Sequence, residues 1–214
     1  MPSKKAVSWW PSSRSPQAGG VRTLPLLMLA LALVSSAATA QFQVPEPTTP
    51  RIPPLASSES PLNISKTLAN HPKLAEAWGP FAGYILRGST LPARDRELLI
   101  LRTAYLCGAE YEWGHHSRAA KQVGLTDEEI LRVIEGPETA GWSSFERALL
   151  RAAGELHKSS TISERTWAYL DARYDEKQLM DLVFTVGQYN MVSWALRSFR
   201  VPMDEGIAGF PTKQ

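Results

Sequence analysis

At four candidate helix starts in the second half of this chain, a short polar residue is followed three positions later by Glu or Gln. The pairs are Thr126 with Glu129, Ser143 with Glu146, Thr161 with Glu164, and Asp175 with Gln178. Each reads as a capping box, in which two side chains satisfy the free backbone N–H groups at the start of a helix. The stretches that follow carry apolar residues at helical spacing, and none alternates with period two before a hairpin turn. The predicted fold is therefore all-α, with about seven to eight helices. The predicted helices run over Ser65 to Asn70, Leu74 to Leu86, Pro92 to about Leu106, and Ala109 to Val123. Four more follow the boxes, to about Glu135, His157, Arg173 and Phe199. Gly108 and Gly124 supply stops, and Pro92 fits a first turn.

The first 40 residues read differently. Lys4, Lys5, Arg14 and Arg22 stand without an acidic residue, Leu24 to Val34 is apolar apart from Pro25, and Ala38-Thr39-Ala40 precedes Gln41. This pattern is that of a secretory signal peptide cut after Ala40, and the apolar run is too short for a membrane span. The expected protein is periplasmic or secreted. The whole chain has 23 basic and 21 acidic residues. The leader carries four basic residues and no acidic one, so the remaining 174 residues hold 19 and 21, a formal −2. No basic face points to nucleic acid. Residues 41–62, rich in Pro, Ser and Thr, read as a linker or surface arm. Residues 63–206 form the domain and 207–214 a tail. Asn63-Ile64-Ser65 matches a glycosylation sequon. Cys107 is the chain's one cysteine, so no intrachain disulfide exists, and it reads as a buried small residue or a reactive thiol.

Chemistry concentrates in Glu110-Tyr111-Glu112-Trp113-Gly114-His115-His116. In a helix, Glu112 and His116 lie one turn apart on the side that continues through Ala119, Ala120 and Val123. A carboxylate and an imidazole on an apolar face must pair. Such a pair is either a buried structural contact or a proton shuttle. Glu97 shares a face with Leu101 and Ala104; it reads as a desolvated carboxylate or as a first-turn residue favoured by the positive helix end. His115 points about 100° away from His116, toward a helix edge or subunit contact. Tyr111 and Trp113 pack or wall a pocket, and Asn190 needs a polar partner in a pocket or across an interface. A metal centre on Glu97, Glu112, His115 and His116 is the rival chemistry, but the spacing lacks the paired histidines of the zinc-peptidase motif. His71 and His157 have no ligand-like sequence neighbours. No metal or cofactor is expected. Neither a phosphate-binding glycine loop nor a Gly-x-Ser-x-Gly elbow is present.

Leu91-Pro92-Ala93-Arg94-Asp95-Arg96-Glu97, the Glu110-to-His116 segment, Gly124 to Ile130, and Gly187 to Ser193 together resemble the carboxymuconolactone decarboxylase family, with its alkylhydroperoxidase D-like fold. The resemblance covers roughly residues 62 to 206. Redox members carry Cys-x-x-Cys, a histidine four residues on, and a glutamate twelve residues before the first cysteine. Here those positions hold Ala109, Glu112, His116 and Glu97. The resemblance thus implies an acid–base relay without its thiols, and a cysteine peroxidase cycle lacks the resolving partner it needs. It implies a cofactor-free lyase or decarboxylase on a small carboxylated or lactone-like molecule, with His116, Glu112 and Glu97 catalytic, Tyr111, Trp113, His115 and Asn190 around the substrate, and a homo-oligomer, a trimer or a multiple of one. The alternative is a non-enzymatic exported protein, for ligand binding or assembly, with a structural Glu/His network. Peroxidase-type or metal-hydrolase activity ranks below both.

Overall fold

Among the residues described by the computed structural model, 49–211, the chain forms eight α-helices and no strand. They are α1 (Asn63–Leu68), α2 (Pro72–Gly83), α3 (Ala93–Leu106), α4 (Glu110–Gln122), α5 (Asp127–Glu135), α6 (Ser144–Ser159), α7 (Glu164–Asp171) and α8 (Glu176–Phe199). The leader and its cleavage site lie outside the described residues. No helix among the described residues is long and apolar enough to cross a membrane.

Helix α3 is the hub and packs against α4, α5, α6 and α8. Leu98, Leu99, Ile100, Leu101 and Ala104 are all fully buried, so this helix is apolar around most of its circumference. That is the pattern of a helix enclosed by others rather than lying on a surface. The carboxylates that α3 carries are thereby committed to the interior.

Three of the four capping boxes form: Thr126 with Glu129, Ser143 with Glu146, and Asp175 with Gln178. Arg94, in the first turn of α3, reaches Glu129 at 2.6 Å and Glu146 at 2.9 Å. One guanidinium thus ties the starts of α5 and α6 to α3. The fourth box does not form. Ser163, not Thr161, caps α7 through the Thr166 N–H, and Glu155 of α6 accepts from both the Ser163 N–H and its hydroxyl. The tertiary carboxylate outcompetes the local one, and α7 begins later and ends earlier than its sequence suggests.

The predicted helix over Leu74 to Leu86 is also altered. His71 caps α2 by accepting the Leu74 N–H on Nδ1, and Pro72 stands in its first turn. Pro80 lacks an N–H, and beyond Gly83 the chain winds into a π turn, Tyr84–Gly88. Asp181 of α8 anchors this turn. It accepts from the Tyr84 hydroxyl at 2.8 Å, the Thr90 N–H at 2.6 Å and the Thr90 hydroxyl at 2.7 Å.

The chain before α1 lies on the surface as an arm. The N–H groups of Arg51 and Ile52 both donate to the carbonyl of Phe199, at the end of α8. At the other end, Ile207 and Ala208 cross α4 directly over Gly114. A Cβ there would sit 2.3 Å from the Ala208 oxygen and 2.4 Å from Ile207 Cγ2. Gly114→Ala is therefore expected to destabilise the protein by about 1–3 kcal/mol, the usual cost of overpacking, or to lift the tail. Urea unfolding together with proteolysis of the tail would detect either effect, and neither would appear if Ala were tolerated.

Candidate functional site

Helix α3 delivers Glu97, and α4, packed against it, delivers Glu112 and His116. Residues four apart on α4 stack one turn above the other, as the sequence spacing requires. The His116 ring stands between two carboxylates. Its Nδ1 is 2.7 Å from Glu97 Oε2, and its Nε2 is 3.4 Å from Glu112 Oε2. The tight bond is thus to the partner on the other helix, and the contact to Glu112 is a looser ion-pair distance. Arg96 Nε lies 3.7 Å from the second oxygen of Glu97. The Tyr189 ring of α8 covers His116 edge-on, with ring centres 4.9 Å apart.

Burial grades across the three. Glu97 is 2% exposed, whereas Glu112 and His116 keep 7% and 8%. The residual opening is therefore on the Glu112 side, with Glu97 closing the back of the ring. Neither of two surface clefts, one at the end of α8 and one between α4 and α5, is lined by Glu97, Glu112 or His116.

Burial pushes the Glu112 carboxyl above its ordinary range, His116 pulls it down, and the nearby Glu97 adds to the rise. Burial depresses the His116 imidazole, but the Glu97 hydrogen bond and the charges of Glu97 and Glu112 outweigh it, so the net direction is upward. Burial and the same two carboxylates hold the Tyr189 phenol protonated. Both Glu112 and His116 are thereby biased toward their protonated forms.

A stability consequence follows by linkage. A histidine whose folded pKa exceeds its ordinary 6.5 stabilises fully below 6.5 and loses that contribution as pH rises through the folded value. Glu112, raised from 4.5, leans the same way, its contribution fading as pH climbs above 4.5. The urea midpoint is therefore expected to fall as pH is raised from about 6 to 9, and His116→Gln should flatten that fall. Parallel curves for the two proteins would show that His116 is not the titrating group.

The other sequence-selected residues lie elsewhere. Tyr111 donates its hydroxyl to Asp204, and His115 Nε2 lies 2.8 Å from the same Asp204 oxygen. The other Asp204 oxygen accepts the Asn63 N–H at 2.8 Å, and the Asn63 amide donates to the carbonyls of Pro202 and Met203. Tyr111 and His115 thus clasp the chain beyond α8 to the start of α1, and a glycan on Asn63 would displace both amide bonds. Trp113 is buried against Phe210 and Tyr105. Asn190 follows Tyr189 by one residue, about 100° around the helix, and faces away from His116. Its side chain accepts from Cys107 at 3.3 Å, contacts His157 Nδ1 at 2.7 Å, and donates to the Val186 carbonyl. His157, without ligand-like sequence neighbours, acquires Asn190 and Cys107 because the ends of α3 and α6 meet α8. Cys107 is buried, which pushes its thiol pKa up. Among the described residues, no three His, Cys, Asp or Glu side chains are arranged to hold a metal ion. Spacing does not assign Tyr189 or Asp204 a place at these contacts, because both depend on segments distant in the chain.

The helical architecture is that of the alkylhydroperoxidase D-like fold. It superposes on a protein of unknown function, ATU0492 from Agrobacterium tumefaciens, with TM-score 0.58 and 19% identity over 68% of this chain and 96% of that one. An uncharacterized peroxidase-related protein from Ralstonia eutropha JMP134, described as an alkylhydroperoxidase AhpD core, gives 0.61 and 16% over 67% and 77%. The debrominase Bmp8, solved as a cysteine-to-alanine variant with 2,3,4-tribromopyrrole, gives 0.61 and 17% over 72% and 91%. At these identities the likeness is one of fold.

Residues 72–155, the part of the chain that holds Glu97, Glu112 and His116, match the model of the carboxymuconolactone decarboxylase family. Cys107 is the chain's one cysteine, so a Cys-x-x-Cys pair is absent. The uncharacterized protein YdfG of Bacillus subtilis (strain 168) is 27% identical over 108 residues, 50% of this chain and 72% of that protein.

Proposed function

We propose that this is an exported, cofactor-free acid–base enzyme of lyase or decarboxylase type, acting on a small carboxylated or lactone-like molecule. The observation that carries the reading is His116 held between two buried carboxylates, 2.7 Å from Glu97 and 3.4 Å from Glu112. Glu97 fixes the ring through Nδ1. Nε2 and Glu112 then form the working edge, on the less buried side. In a decarboxylation beside a carbonyl, the C–C bond to the carboxylate breaks, CO2 leaves, and the electron pair passes to the carbonyl as an enolate. The imidazolium or the protonated Glu112 donates a proton to that enolate, so the net change is replacement of CO2⁻ by H with uptake of one proton. Such transfers contribute about 10²–10⁴-fold when the acid is in place.

A thiol cycle is disfavoured by the residues present. Ala109 and Glu112 occupy the redox positions, and Cys107 has no second thiol to resolve a disulfide.

The alternative reading, a non-enzymatic exported protein with a structural Glu/His network, rests on one specific observation: all three groups are more than nine-tenths buried. Crystals soaked with small lactones and keto acids separate the two. Density within hydrogen-bond distance of His116 Nε2 supports the enzyme; a site that stays closed to every compound supports the network. A homo-oligomer is part of the proposal, because Met180, Phe184 and Met191 leave a run of apolar side chains exposed along α8. Light scattering giving a monomer mass would remove it.

A further inference from the structure

We propose that the cleft at the C-terminal end of α8 binds a small, planar organic anion, at a site separate from the Glu97–His116–Glu112 relay. The cleft has a volume of about 880 Å³, ample for a small ligand. Arg51 enters from the arm, and Arg197 and Arg200 from the end of α8; Tyr111 and Trp194 also line it. The arm is held there by the Arg51 and Ile52 N–H bonds to Phe199, so the cleft joins segments far apart in the chain, with Arg51 and Ser198 separated by 147 positions.

Two of the arginines are fixed by carbonyls. Arg51 Nη1 donates to the Ser198 oxygen at 3.2 Å, and Arg197 Nη1 donates to the Cys107 oxygen at 2.7 Å. Each of these bonds engages one of a guanidinium's five N–H donors and orients a planar fork whose geometry matches a carboxylate. Three arginines against one carboxylate line the cleft, a positive balance that repels cations and favours a ligand with more than one negative charge. The carboxylate that also lines the cleft, Glu110, packs beside Gly209: a Cβ on that glycine would lie 2.9 Å from Glu110 Oε2. Trp194 is 62% exposed, a large aromatic surface left in water at the edge of a cationic cleft. Its ring gives a flat ligand a face to stack on, while the arginines take its charged ends. That combination selects a planar carboxylate over inorganic phosphate.

Calorimetric titration of the purified full-length protein tests this with isophthalate, a planar dicarboxylate, and with inorganic phosphate and benzyltrimethylammonium as counterparts. Isophthalate should bind saturably and more tightly than phosphate, and the cation should not bind. Arg51→Gln and Arg197→Gln should each weaken isophthalate about tenfold or more, as expected for loss of a charge-assisted bond. Trp194→Ala should weaken isophthalate and leave phosphate unchanged. Absence of saturable isophthalate binding overturns the proposal. So do unchanged affinities in the arginine variants, or phosphate binding as tightly as isophthalate. Arg51 sits on an exposed arm, so Arg51→Gln decides the matter even if loss of the Arg197–Cys107 bond unfolds the other variant. The relay takes no part, and His116→Gln should bind isophthalate as the wild type does. The test therefore succeeds or fails independently of the enzyme reading.

Discussion

Glu97→Ala is expected to lower the unfolding free energy by about 3–5 kcal/mol, among the largest single-residue effects in this protein. The reason is topological. Glu97 lies on α3, a helix enclosed by its neighbours, and is the tight acceptor for His116 Nδ1 at 2.7 Å. Removing it leaves an imidazole buried beside a second carboxylate with no fixed partner on that nitrogen. It also leaves Arg96 without the carboxylate 3.7 Å away. Chemical denaturation of both proteins at neutral pH measures the loss. Glu97→Gln keeps a carbonyl acceptor and should lose less. A loss below about 1 kcal/mol for Glu97→Ala, the range of an exposed pair, would mean that water reaches this contact freely.

His116→Ala is expected to abolish turnover, a fall of about a hundredfold to ten-thousandfold, while the helical circular dichroism is retained. Here Glu112→Gln is the informative companion. Its carboxyl is pushed up by burial toward the neutral form, so an amide of the same shape should be tolerated structurally. An amide cannot release a proton, however. The relay therefore predicts loss of activity in Glu112→Gln with little loss of stability. A purely structural network would show no such split between the two measurements.

Most of the fold was legible in the sequence because its helices announce themselves locally. The boxes at Thr126, Ser143 and Asp175 need only residues three positions apart. The box at Thr161 failed where a distant residue intervened, since Glu155 of α6 takes the Ser163 N–H and hydroxyl. The π turn after α2 is likewise settled by a distant group, Asp181 of α8. The relay follows the same division. The Glu112–His116 stacking is local and readable from spacing. The pairing of Glu97 with His116 required the packing of α3 on α4, and the family resemblance supplied it before periodicity could. Tyr111 and His115, adjacent in the chain to the relay, both turn to Asp204, which spacing alone does not reveal. Asn190 shows the same limit: one residue from Tyr189, it faces Cys107 and His157 instead.

The most direct measurement is CO2 release from a panel of small carboxylated lactones and keto acids, with wild type and His116→Ala assayed in parallel. The expected result is release by the wild type from at least one compound and none above background from the variant. Equal release by both proteins, or none by the wild type from any compound, would contradict a proton-transfer role for His116.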